Sequence, residues 1–165
     1  MLVFVGIGLC AASLLINIIG LAIPYWSIFT QTVPVLGEVK TNQGLWSLCS
    51  SFHGNTNCGD IPDVLLDSAF KTTRAMEILG MLLILAALVC VLLKQFVIKE
   101  QALLPKIGAC LAIVAGIFMI IGTIIYATRD VVDSSNLHAG FALCIIAGII
   151  GIVAGVVVFL ASKGD

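Results

Sequence analysis

Charge is what this sequence has least of. Lys, Arg, Asp and Glu make up 10% of its 165 residues, apolar side chains make up 61%, and mean hydropathy is +1.20. An average soluble domain carries about 25% charged residues. A chain this poor in charge cannot clothe a globule in polar surface, so one water-soluble core is excluded. The net charge of -1 comes from scattered side chains. No basic block is present to hold nucleic acid, and no acidic tail is present to hold a basic partner.

The constellations of catalysis are missing too. His53 and His138 have no Cys, Asp or Glu at metal-ligand spacing,. No nucleophile stands beside a base, so no catalytic residue is assigned, and no metal or cofactor is expected. Thiol–disulfide chemistry wants a reactive C-x-x-C pair with a stabilised thiolate, and a transporter wants paired ionisable groups or broken helices at mid-membrane. Neither is visible. There is no internal repeat, no low-complexity segment, and no N-x-S/T sequon in the loops,.

What the chain does have is four apolar runs of bilayer length, which takes roughly 20 residues. They cover about 2–23, 75–93, 107–127 and 137–161, fenced by Pro24, Arg74, Lys94, Lys106, Arg129 and Lys163. No Lys or Arg precedes the first run, and it is about twice as long as a signal-peptide core. It therefore reads as a retained span, and the bilayer is the first partner. The connections are unequal: a long loop 24–74, a shorter one at 94–106 and a short one at 128–136.

Orientation comes from the cysteines. Cys10, Cys90, Cys110 and Cys144 lie in apolar runs and read as small hydrophobes. Cys49 and Cys58 lie in the long polar loop, and disulfides persist in oxidising space. That loop therefore faces outside and both termini face the cytosol. Lys94, Lys99, Lys106 and Lys163 on the inner side tie in number with Lys40, Lys71, Arg74 and Arg129 outside, but are denser per residue, which agrees with this orientation,.

The long loop is rich in strand and turn signals. Tyr25 to Thr30 reads as a strand leaving the membrane. Val33-Pro34-Val35 and Val39-Lys40-Thr41 flank a turn at Gly37, and Gly44 to Cys49 reads as another strand. The polar string from Ser50 to Asn57 turns the chain back to Cys58. A bridge closing so short a loop contributes roughly 2–3 kcal/mol in the chain-entropy picture, a staple that a small sheet with little core requires. Ile61 to Thr73 reads as a short amphipathic helix leading into the second span.

Single residues add detail. Trp26 and Trp46 are amphipathic rings suited either to the membrane interface or to a core between sheet and bundle. Gly44 reads as a place where a β-carbon would obstruct the backbone. Arg74 reads as an interface anchor or as a carbonyl-binding brace under the sheet. Asn17, deep in the first span, is placed to bond across to a neighbouring helix. Glu77 stands one turn from Arg74 and is expected to pair with it. Ala147, Gly151 and Gly155 recur at four-residue steps on the fourth span, a small face for close helix packing.

These residues together resemble a known pattern. Trp26, then Gly44-Leu45-Trp46, Cys49 and Cys58, resemble the W–GLW–C–C signature of the claudin / peripheral myelin protein / epithelial membrane protein superfamily. Thr73-Arg74-Ala75-Met76 resembles the arginine-bearing junction between that family's first loop and second span. Ile125-Tyr126-Ala127-Thr128-Arg129 and Gly140-Phe141-Ala142 resemble the myelin and epithelial membrane protein branch. The resemblance covers the whole chain. It implies an all-α membrane protein with a small extracellular β-sheet, claudin-like: a left-handed four-helix bundle under an antiparallel sheet built from the first loop and one strand of the second.

The resemblance also implies a role. It would be a structural protein of the plasma membrane at cell–cell contacts, self-associating in cis and in trans with like proteins on adjacent cells, forming a paracellular barrier or pore. The alternative it implies is an accessory subunit or membrane-organising protein of the peripheral myelin, epithelial membrane or channel-regulatory type. The position after the second cysteine, informative for charge selectivity in the family, is Gly59 here. Asp60, Asp63 and Asp67 follow it, which points to a cation-favouring surface. The end of the chain, Lys163-Gly164-Asp165, lacks the apolar last residue of a PDZ ligand, so scaffold binding of that kind is not expected.

Overall fold

In the computed structural model of the chain, each apolar run forms one helix. The structure describes residues 1–33, 37–98, 101, 103–129, 132 and 134–163. Pro34 and Val35 of the expected turn, Lys99 of the inner lysine cluster and Gly164-Asp165 of the tail lie outside the described residues. The helices are α1 (Leu2–Ala22), α2 (Ser68–Phe96), α3 (Leu103–Ala127) and α4 (Ala139–Ala161), all long and apolar enough to cross a bilayer.

Local chemistry sets their ends. α1 stops where Ile23 turns extended ahead of Pro24, because a residue before proline disfavours the helical region. α2 starts at Ser68, ahead of the apolar run at Ala75, because Asp67 caps it by accepting the Phe70 amide at 2.6 Å,. The amphipathic stretch read over Ile61 to Thr73 is therefore a 3-10 turn at Asp63–Leu65 followed by the first turns of α2 itself.

The helices form a ring in which α1 packs on α2 and α4, and α3 packs on α2 and α4. Close approach along α4 comes from its small face. A β-carbon on Gly155 would lie 2.6 Å from the Ala109 carbonyl of α3, and one on Gly148 would lie 2.9 Å from the Gly116 carbonyl. Gly151 faces both Ala112 of α3 and Ser13 of α1, and Ser13 Oγ donates to the Ala147 carbonyl at 2.8 Å. The Ala147, Gly151 and Gly155 face is thus turned toward helices of the same chain.

The long loop folds into one antiparallel sheet in the order β1 (Ser27–Val33), β2 (Gly37–Gln43), β3 (Ser47–Phe52) and β4 (Asn55–Asp60). The string from Ser50 to Asn57 is mostly strand, since Ser50 pairs with Asn57 and Ser51 with Thr56 across the ladder. Only His53 and Gly54 turn, both at positive φ (46° and 83°), the geometry that matches a two-residue hairpin to strand twist. Gly44-Leu45-Trp46, expected in a strand, is instead the tight β2–β3 connection, closed by the Gly44 amide on the Ser47 carbonyl at 2.9 Å. The second loop contributes a single bridge, Ser27 with Leu137, rather than a full strand among the described residues.

Gly155→Ala should be destabilising by about 1–3 kcal/mol, because the new methyl meets backbone that cannot step aside. Gly8→Ala, with nothing within 4 Å, should be neutral or slightly stabilising. Thermal unfolding of both variants in one detergent checks the contrast.

Candidate functional site

The sheet stands on an aromatic platform at one end of the bundle, and the platform begins with a dipeptide. Tyr25-Trp26 leaves α1 and is bonded on both sides. The Trp26 amide donates to the Gln43 carbonyl at 2.8 Å, the His138 amide donates to the Trp26 carbonyl at 2.9 Å, and the Gly140 amide donates to the Tyr25 carbonyl at 2.7 Å. Two residues thereby join the end of β2 to the start of α4.

The Trp26 ring is fully buried, and its Nε1 donates to the Gly20 carbonyl in the last turn of α1 at 2.8 Å. It meets Tyr126 of α3 edge-on at 5.0 Å and Phe141 of α4 at 6.4 Å. The Tyr126 hydroxyl in turn bonds Ser27 Oγ of β1 at 2.8 Å. The two readings of the tryptophans divide between them. Trp26 is core, whereas Trp46 is 44% exposed. Gly44 sits where its β-carbon would be 2.6 Å from Pro24 Cα, so any side chain there would push the β2–β3 connection off the dipeptide's lead-in.

Two arginines clasp one phenylalanine beside this platform. Arg74 and Arg129 each place their guanidinium 4.7 Å from the Phe70 ring centre, an attraction worth roughly 0.5–2 kcal/mol per contact depending on desolvation. Arg74 Nε donates to the Leu45 carbonyl at 2.7 Å while its guanidinium covers Trp46 at 4.8 Å. It is a brace holding the Gly44-Leu45-Trp46 connection down onto α2.

Arg129, 5% exposed, bonds Asp67 Oδ2 through Nε at 2.9 Å and the Leu65 carbonyl through Nη2 at 3.2 Å. The sequence marks Arg129 as a fence for the third span, as an outer cation and as the end of the Ile125-Tyr126-Ala127-Thr128-Arg129 resemblance, but gives it no partner. The available signal was an arginine ending one apolar run and an aspartate preceding another. Nothing local tells that they meet.

Glu77 corrects an expectation. It does not pair with Arg74: it is fully buried and accepts from Asn17 Nδ2 of α1 at 2.9 Å. Asn17 bonds across helices as its depth suggested, but to an acid. Residues three apart on a helix share a face only approximately, and here Arg74 points to the sheet while Glu77 points to the bundle axis.

On the sheet itself Cys49 and Cys58 are directly opposed in β3 and β4 and form a disulfide. Asp60 ends β4 and Asp63 opens the 3-10 turn, both exposed. Asp67 is already engaged as helix cap and as partner of Arg129. Among the described residues no three His, Cys, Asp or Glu side chains gather into a metal-binding group.

The geometry is that of four membrane-crossing helices carrying a disulfide-stapled sheet on a tryptophan-centred platform. A family model described as PMP-22/EMP/MP20/Claudin matches residues 1–162. The chain belongs to the PMP-22/EMP/MP20/Claudin family. No curated protein matches it. Within this PMP-22/EMP/MP20/Claudin chain the signature residues divide by what they touch: Trp26, Gly44, Leu45 and Arg74 fasten sheet to bundle, Trp46 lies part-exposed under the Arg74 guanidinium, and Cys49 with Cys58 fastens the outer hairpin to itself.

The acid–arginine pair beside the platform is open to titration. Partial burial pushes the Asp67 carboxyl up, but the Phe70 amide and then Arg129 outweigh it and hold the group below its ordinary value of 3.8. A depressed carboxylate adds stability above its unfolded pKa and loses it as pH falls through the native value. Asp67→Asn should therefore unfold at lower temperature than the parent at about pH 6, with the gap closing towards about pH 3. Paired melting curves at the two pH values check it.

Proposed function

We propose that the chain is a structural, adhesive protein of the plasma membrane, whose sheet faces outward and engages like sheets on the same or an adjacent cell. The observation that carries this reading is β4. It is one of the two edges of the sheet, every one of its residues is exposed, and the disulfide ties it to β3. An edge strand leaves N–H and C=O groups without ladder partners and is a template for pairing with another chain. A staple across the last two strands keeps that template formed at low energetic cost on each encounter, because little chain entropy remains to be lost.

Family membership supports a non-enzymatic, membrane-embedded role, and the rigid platform supports a surface presented in one fixed attitude to the bilayer. Among the described residues of the sheet and the turn after it, exposed Glu38, Asp60 and Asp63 outnumber the exposed cation Lys40, so any path for ions along this surface favours cations. Asp67 contributes less, since Arg129 offsets its charge.

Cells expressing a tagged copy in two colours should, when mixed, concentrate the protein only at boundaries between expressing cells. A Cys49→Ser, Cys58→Ser double variant, weakened by roughly 2–3 kcal/mol but still delivered to the surface, should lose that enrichment. Even surface signal for the parent would overturn adhesion and favour an accessory or membrane-organising role, for which a copurifying channel is the sign.

A further inference from the structure

Two buried oxygens inside the bundle lack partners, and they belong to one bonded pair. Asn17 of α1 and Glu77 of α2 are both fully buried. Asn17 Nδ2 donates to Glu77 Oε2 at 2.9 Å and to Cys144 Sγ of α4 at 3.9 Å. Asn17 Oδ1 and Glu77 Oε1 have no hydrogen-bond partner. An amide oxygen and a carboxylate oxygen are both acceptors, and leaving either one buried and unpaired is costly.

A carboxylic acid and a carboxamide close a ring of two hydrogen bonds when the acid keeps its proton. The acid's carbonyl accepts from the amide N–H, and its O–H donates to the amide oxygen. The first of those bonds is present here. The two unpaired oxygens are the two ends of the second, and one proton on Glu77 completes it.

Charge leads to the same answer. From α1 Glu77 is met by Asn17, and from α3 by Gly122, where an added β-carbon would lie 3.1 Å from Oε1. From α4 it is met by Cys144, whose thiol is the other titratable group against it. A thiol is a weak donor and brings no positive charge. On α2 itself Arg74 is turned away, to the Leu45 carbonyl and the rings of Trp46 and Phe70. A carboxylate among these groups would be a buried charge without a counter-charge, far costlier than a neutral acid. A trapped water would supply donors to both oxygens but would leave that charge in place.

We infer that Glu77 is a proton-binding site: it holds its proton at neutral pH and donates it from Oε1 to Asn17 Oδ1, making a two-bonded latch between α1 and α2. The inference goes beyond the adhesive reading and does not depend on it. Asn17 lies one turn before Gly20, whose carbonyl receives the Trp26 indole N–H. The latch therefore holds the turn of α1 on which the platform of the sheet is seated. Loss of the proton would leave both oxygens unpaired and add a buried charge, loosening that turn.

Glu38 and Glu100 lie outside the four spans, and replacing both by Gln leaves Glu77 as the one glutamate of the chain. That protein, carrying carbon-13 glutamate in lipid nanodiscs, should show a labelled carboxylic-acid carbonyl band in the infrared at neutral pH. The band should vanish in Glu77→Gln. In Asn17→Leu it should move to higher frequency, because the acid's carbonyl loses its donor. Glu77→Gln rebuilds the ring as an amide pair and should melt within about 4 °C of the parent. Asn17→Leu leaves the acid unpaired and should melt lower by about 2–12 °C.

A labelled carboxylate band in place of the acid band would overturn the inference and point to a cation or a water between the two oxygens. An acid band at the same frequency in Asn17→Leu would overturn the latch. So would a Glu77→Gln variant that melts as far below the parent as Glu77→Leu, since the amide would then not replace the acid.

Discussion

One hydrogen bond carries more of this architecture than its strength suggests: the indole N–H of Trp26 on the Gly20 carbonyl. An indole nitrogen has a donor and no acceptor, and burying the ring with that donor unpaired would forfeit much of what burial gains. The last turn of α1 has carbonyls without intrahelical partners, and one of them lies where the ring must go. The pairing satisfies both groups and fixes the direction in which the chain leaves the membrane. From that direction follow the contacts of Tyr25 and Trp26 with β2 and α4, the packing on Tyr126, and the seat of β1 through Ser27.

The platform answers a problem common to small extramembrane sheets. The strands bring few apolar residues of their own, and β4 brings no buried one. Stability has to be borrowed from the bundle and from covalent closure. The borrowing runs through Trp26, Leu45, Phe70 and Tyr126, all fully buried, and through two arginines that spend their donors on the backbone carbonyls of Leu45 and Leu65. Main-chain carbonyls in a connection have no ladder to bond, so a guanidinium there takes the place of water. The arrangement leaves the outer face and the β4 edge free of structural duty.

Much of this could be read from residues alone, and the rest could not for identifiable reasons. The spans were legible because lipid imposes a length and an apolar composition that no other environment imposes together. The staple was legible because Cys49 and Cys58 alone among six cysteines sit in polar chain. Strand limits were less so: Ser50 to Asn57 is polar because its strands are exposed, and polarity alone imitates a loop.

Long-range pairings were the least legible. Arg74 has an acid one turn away, which local spacing favours, yet it bonds the carbonyl of Leu45, far off in sequence. The separate fates of Trp26 and Trp46 likewise depend on which ring the closing sheet covers, and that is a property of the folded whole. The small face of α4 was legible as a packing surface, while its partners, α3 and α1, had to be seen.

The central claim is that the sheet is one rigid body with the bundle, hinged nowhere between Ala22 and Ser27. Site-resolved hydrogen exchange of the intact protein in lipid nanodiscs tests it most directly. The amides of Trp26, Gly44, His138 and Gly140 should exchange as slowly as those of the buried bundle, with fast exchange, among the described residues of the sheet, at the unpaired edges of β1 and β4 and the His53-Gly54 turn. Fast exchange at Trp26, His138 and Gly140 while the strand ladder stays protected would mean a sheet tethered loosely to the membrane, and would contradict the account.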